Sequence, residues 1–143
     1  IRHANEVLNR ILLEEGSHAN RLARIFQEFL QAVLDNQAHA VIYSREEKEL
    51  AQADRDTINT LRREFDRKLV GLIEDGVASG EFEVADIRLA ALSIGGIIGW
   101  SQVWFRPSGR LTIEEAADGV SRIVLAMVKA NPGRRRKPLA AVR

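Results

Sequence analysis

The sequence predicts an all-α protein, a bundle of about six helices. Apolar residues recur at intervals of three and four along most of the chain. Only three prolines and ten glycines punctuate its 143 residues. No stretch of useful length alternates apolar and polar positions with the period of two that a strand requires.

The first helix is expected over Ile1–Glu15, with Val7, Leu8, Ile11 and Leu12 on its apolar stripe. Gly16 stops it, and Ser17 is placed to cap the next. That second helix should reach about Asn36, burying Leu22, Ile25, Phe26, Phe29, Leu30, Val33 and Leu34. His39–Ala53 reads as a shorter, mixed segment, in which the knot Val41-Ile42-Tyr43 precedes a charged, solvated face from Arg45 to Glu49.

A long helix should follow, capped by Asp54 or Asp56 and lasting to about Ser79. Ile58, Leu61, Phe65, Leu69, Leu72 and Ile73 mark its buried side. Gly80 stands where a helix-terminating glycine belongs. Asp86 should cap the next helix, Ile87–Phe105, which is apolar nearly all round. A helix of that kind needs cover on every side, and in so small a domain a partner subunit is a source of it. Arg106-Pro107-Ser108-Gly109 forms the turn beyond it. Thr112 and Glu115 make a capping box for the last helix, whose stripe runs through Ile113, Ala116, Ala117, Val120, Ile123, Val124, Met127 and Val128. Asn131-Pro132-Gly133 ends it. The tail over 132–143, with Arg134, Arg135, Arg136 and Lys137, has too few apolar residues to pack and is expected to be disordered.

Composition narrows function mostly by exclusion. A net charge of +1 sets up no global field for nucleic acid or an anionic membrane. The chain has no cysteine, so disulfides, thiolate metal sites and cysteine nucleophiles are out, in keeping with a cytoplasmic location. Its most apolar run, Leu89–Trp100, falls short of the roughly 20 residues needed to cross a bilayer. His3, His18 and His39 lie in separate segments, and Glu46, Glu47 and Glu49 have no matching histidine. Neither a metal site nor an enzyme is indicated, and no cofactor is called for. Gly95, Gly96 and Gly99 lack a preceding strand; they read as close helix packing, or as room for a ligand or a partner helix.

The aromatics Phe26, Phe29, Tyr43, Phe65, Trp100 and Trp104 come from apolar faces of four separate segments. They are either plain core or the walls of a shared cavity of several hundred cubic ångströms for an apolar ligand. Arg62, Arg63 and Arg67 are either a solvated helix face or cations at the mouth of such a pocket.

Gly80-Glu81-Phe82, Asp86, Ala90-Ala91 and the run Trp100-Ser101-Gln102-Val103-Trp104-Phe105-Arg106-Pro107-Ser108-Gly109-Arg110-Leu111-Thr112 together resemble TetR-family transcriptional regulators. The likeness spans about residues 1–130, and the run ending in Leu-Thr resembles the end of that family's eighth helix and the turn into its ninth. It implies a body that binds a small-molecule effector and dimerises through its last two helices. Residues 1–15 would be the connector to a helix-turn-helix head that this chain lacks; 16–131 would be the effector-binding and dimerisation domain. The sequence opens on Ile1 without an initiator methionine, as a piece of a longer chain would. Operator DNA would be reached only through the missing head.

On this resemblance the expected effector site comprises Phe26, Phe29, Leu30, Tyr43, Phe65, Leu69, Ile97, Trp100 and Trp104. The expected homodimer interface comprises Ile94, Ile98, Val120, Ile123, Val124 and Met127. The segment Ala40–Tyr43 and the Trp-Phe-Arg-Pro turn look most like the branch that answers to acyl-CoA thioesters. The rival reading is a ligand-free helical interaction module whose aromatics are only core.

Overall fold

The computed structural model describes residues 1–36 and 51–128. Five helices lie in those residues: α1 Arg2–Leu12, α2 His18–Asp35, α3 Gln52–Ala78, α4 Ile87–Trp104 and α5 Ile113–Val128. The all-α expectation holds. The short segment expected over His39–Ala53 falls almost wholly outside the described residues, as do the Asn131-Pro132-Gly133 stop and the basic tail.

Local chemistry explains the helix ends. Ser17 caps α2 by accepting from the Asn20 N–H at 3.0 Å, and Asp86 caps α4 by accepting from the Leu89 N–H at 3.0 Å. Thr112 and Glu115 form the reciprocal box at α5, each bond 3.1 Å. Such caps are worth about 0.5–2 kcal/mol each. The first helix stops earlier than expected. Leu13 and Glu14 donate to Arg10 and Ile11, tightening the last turn, and Gly16 takes φ +137°, a region that suits glycine. The long helix also departs from expectation at its start. Its N-cap is Ala51, without a side-chain cap; Asp54 lies inside the first turn, where its charge favours the helix dipole.

The core is continuous. Leu8 and Ile11 of α1, Leu22, Ile25, Phe26 and Leu30 of α2, Leu69 and Ile73 of α3, Ile94 of α4, and Val124 and Val128 of α5 are fully enclosed. The central helix, α2, packs most extensively on α5.

The corner after α3 ties three helices together. Gly80 turns the chain at φ +81°, and the Phe82 N–H returns to the Gly76 carbonyl at 3.0 Å. The Phe82 ring fills the notch at buried Gly76; a Cβ there would stand 2.1 Å from the ring. Next along the chain, the Glu83 N–H donates to the Val128 carbonyl at 2.9 Å and holds the end of α5. Glu81 reaches α2, accepting from the His18 and Ala19 N–H groups at 3.0 and 3.3 Å and pairing with the His18 ring. Two orphan donors of the first turn are thereby satisfied. Burial alone would raise the Glu81 carboxyl, but the His18 ring and these N–H groups outweigh it and hold it at about 2.

The α1 helix is held on two sides. Against α2, Arg10 and Arg24 alternate with Glu14 and Glu28 in a closed ring of ion pairs, two of them at 3.2 and 3.0 Å. Burial opposes ionisation of Glu28, yet the two arginines keep its carboxyl below the usual range. Against α3, buried Asn5 donates its amide to the Leu61 carbonyl at 2.9 Å, and Asn9 accepts from Lys68 at 2.6 Å. Among the described residues the Asn5 side-chain oxygen is buried without a partner.

Two outcomes are expected. Gly76→Ala forces the Phe82 ring out of its notch and should cost about 1–3 kcal/mol, read as a lower urea midpoint. An unchanged midpoint would mean that the corner yields freely. Because the Glu81 carboxyl drops from 4.5 in the unfolded chain to about 2, its stabilisation is complete above pH 4.5 and fades as pH falls toward 2. In urea titrations across that window, Glu81→Gln should flatten the decline; an unaltered slope would assign acid lability to other carboxylates.

Candidate functional site: an arginine-lined cleft and an apolar face

The residues expected to form one effector pocket are distributed between the core and the surface. Phe26, Leu30 and Leu69 are fully enclosed, and Phe65 nearly so. Phe29 and Ile97 are half-buried; the Phe29 ring packs on Phe65 at a centroid distance of 5.8 Å, tilted by 36°. Trp100 and Trp104, one turn apart on the face of α4 that also carries Ile97, are 65% and 41% exposed. Tyr43 lies outside the described residues. The structure therefore brings Phe26, Phe29, Leu30, Phe65 and Leu69 together but leaves both tryptophans apart from them.

The expected interface residues divide in the same way. Ile94 and Val124 are fully buried and Ile98 and Val120 nearly so, whereas Ile123 and Met127 are 57% and 40% exposed. The outward positions of α4 are those the sequence reading passed over: Leu89, Leu92 and Val103, alongside Trp100. Together with Ile123 and Met127 they leave a large apolar area facing outward. Their signal was available as the i, i+3, i+7 spacing of Leu89, Leu92 and Gly96. Among the described residues a Cβ at Gly95, Gly96 or Gly99 would meet nothing within 4 Å, so close packing against the described helices does not account for these glycines.

A concavity lies between α3 and α4. It is a solvent-open cleft of about 710 Å³ lined by Arg63, Asp66, Arg67, Val70 and Glu74 from α3 and by Arg88, Ala91 and Leu92 from α4. Arg63 and Arg67 had been singled out in the sequence; Arg88 had not. The steps 63, 67, 70 and 74 trace one face of α3, a legible signal, but nothing in the sequence revealed that the start of α4 would lie against it.

A smaller recess of about 240 Å³ at the α4–α5 turn is lined by Trp104, Phe105, Arg106, Gly109, Arg110 and Leu111. Its chemistry is structural. Arg106 donates to the Val103 and Phe105 carbonyls at 3.0 and 3.3 Å, closing the end of α4, and a Cβ at Gly109 would press on the Arg106 carbonyl at 3.0 Å. Among the described residues no group of His, Asp or Glu side chains is arranged to hold a metal ion, and no helix is long and apolar enough to cross a membrane.

A family model described as "Tetracyclin repressor-like, C-terminal domain" matches residues 15–128. Similar solved structures include a TetR/AcrR-family transcriptional regulator from Thermobifida fusca YX-ER1. It is 25% identical, with a TM-score of 0.76, over 94% of this chain and 68% of that one. The ketosteroid transcriptional regulator KstR2 of Mycobacterium tuberculosis is 24% identical, with a TM-score of 0.79, over 90% of this chain and 66% of its own. AibR, solved in complex with isovaleryl coenzyme A and operator DNA, is 22% identical, with a TM-score of 0.68, over 84% and 69%. The last two likenesses establish a shared fold. The chain spans about two-thirds of the length of these structures. None of the curated proteins matches it.

Proposed function

Since this chain belongs to the tetracyclin repressor-like C-terminal domain family, we propose that it is the ligand-sensing and dimerisation body of a TetR-type transcriptional repressor. Its partners are a second copy of itself and an apolar small-molecule effector of the acyl-CoA class. Operator DNA is engaged through the helix-turn-helix head that such regulators carry ahead of this body. Binding of the effector shifts the population toward a state in which α1 has moved, and the shift requires different affinities for the two states.

The observation that carries this reading is the outward apolar area of α4 and α5. Six large apolar side chains, Leu89, Leu92, Trp100, Val103, Ile123 and Met127, are exposed on two consecutive helices, with bare glycine backbone at Gly96 and Gly99. A two-fold pairing of this face with itself buries these side chains and forms a four-helix bundle. The interface proposed here retains Ile123 and Met127 and is completed by the α4 residues. Support for the acyl-CoA class comes from the fold shared with AibR, whose structure holds isovaleryl coenzyme A.

The complete enclosure of Phe26, Leu30 and Leu69 favours a second reading, a ligand-free dimerisation module with these residues as plain core. Palmitoyl-CoA separates the two: the ligand-sensing body should bind it in isothermal titration with an affinity in the micromolar range or tighter, roughly −8 kcal/mol, whereas the module takes up none. Met127→Glu sets like charges close to the proposed two-fold axis and should shift native mass spectra from dimer to monomer at micromolar concentration. A variant that stays dimeric would place the interface elsewhere.

A further inference from the structure

Some of the cations of this fold are held in ion pairs. Along α1 and α2, Arg10 and Arg24 are each paired to two glutamates; Lys68 pairs with Glu64, and Arg122 with Asp118 at 3.0 Å. The three arginines of the α3–α4 cleft are different. Arg63 donates only to the Thr60 hydroxyl at 3.3 Å, and Arg67 and Arg88 form no hydrogen bond or ion pair among the described residues. Asp66 and Glu74 line the same cleft, yet neither joins any of the three in an ion pair.

We infer that this cleft seats the phosphate-bearing end of an elongated amphipathic ligand, with Arg63, Arg67 and Arg88 as its cations. The inference rests on the ligand-sensing reading above and gives it a location and a charge. Arg63 and Arg67 stand one turn apart on α3, and Arg88 enters from the first turn of α4, so the cations come from two helices across a concavity. A solvated face would run along one helix alone. Arginine's planar fork of donors suits phosphate oxygens and can hold them bidentately. Asp66 and Glu74 leave the lining with one positive charge in excess. A lone carboxylate gains little from so small an excess. A group with several anionic oxygens gains more, because it can bridge arginines of both helices at once. The volume, about 710 Å³, is within the usual range for small-molecule sites.

Val70, Ala91 and Leu92 supply the apolar part of the wall. Leu92 also belongs to the outward apolar area of α4, so the cleft opens beside the face proposed to receive a second copy. The ligand's apolar end is thus directed along α4, away from the arginines.

The test is isothermal titration of the 143-residue chain and of Arg67→Gln, Arg88→Gln and the double variant. The probes are inorganic pyrophosphate, coenzyme A, palmitoyl-CoA and palmitate. Glutamine keeps much of the side-chain stem, and both sites are exposed, so circular dichroism should show unchanged helix content. Coenzyme A should bind the parent chain and weaken on the order of tenfold with each arginine removed. Affinity for palmitate should not change. Coenzyme A or pyrophosphate binding that is equal in the parent chain and the double variant would overturn the inference. So would a parent chain that takes up neither. If coenzyme A binding depends on the arginines but palmitoyl-CoA binds no tighter, the phosphate seat stands and the acyl-CoA effector reading fails.

Discussion

The fold depends most on the contact between Phe82 and Gly76. A glycine inside a long helix costs about 1 kcal/mol relative to alanine, and here the missing methyl is the space into which the next segment folds. Seating the ring fixes the direction in which the chain leaves α3. The neighbouring residues then fall on their partners: Glu81 at the start of α2, and the Glu83 N–H at the end of α5. One local packing event thereby positions helices distant in sequence. The cleft between α3 and α4 inherits its shape from the same corner, because the connection from Gly80 to Asp86 sets where α4 begins.

Much of this was legible in the residues. Ser17, Asp86 and the Thr112–Glu115 box carry their own signal, since a cap is a short-range bond between residues three apart. Gly80 was legible for the same reason. The start of α3 was not, because Ala51 offers no capping side chain and two downstream aspartates compete as candidates. The division of α4 into inward and outward faces was also hidden. In a helix apolar on all sides, composition does not say which face meets the protomer core and which meets something else. Ile94 and Ile98 turned inward, and Leu92 and Trp100 outward, for reasons that lie in α2 and α3. Aromatic residues from separate helices did gather, but Phe29 and Phe65 pack on one another, and a sequence does not distinguish rings that fill a space from rings that line it.

The same helix therefore carries three environments within eighteen residues. Its inner side supplies core, its outer side an uncovered apolar area, and its first turn one cation of the cleft. Glycines at 95, 96 and 99 keep the outer backbone bare without weakening any contact among the described residues, none of which lies within 4 Å of where their side chains would begin. A helix so poor in internal reasons for glycine has a strand of naked backbone available to whatever approaches it.

Asn5 gives α1 a property that the apolar contacts alone would not. Its amide nitrogen is well placed on the Leu61 carbonyl, while its oxygen is enclosed and unanswered. An orphaned buried acceptor carries a standing penalty of about 1–3 kcal/mol, comparable to the 1–3 kcal/mol that typically couples two sites in an allosteric protein. That penalty subtracts from the apolar contacts and ion pairs that seat α1, so Asn5 ties the helix to α3 by less than its nitrogen alone would.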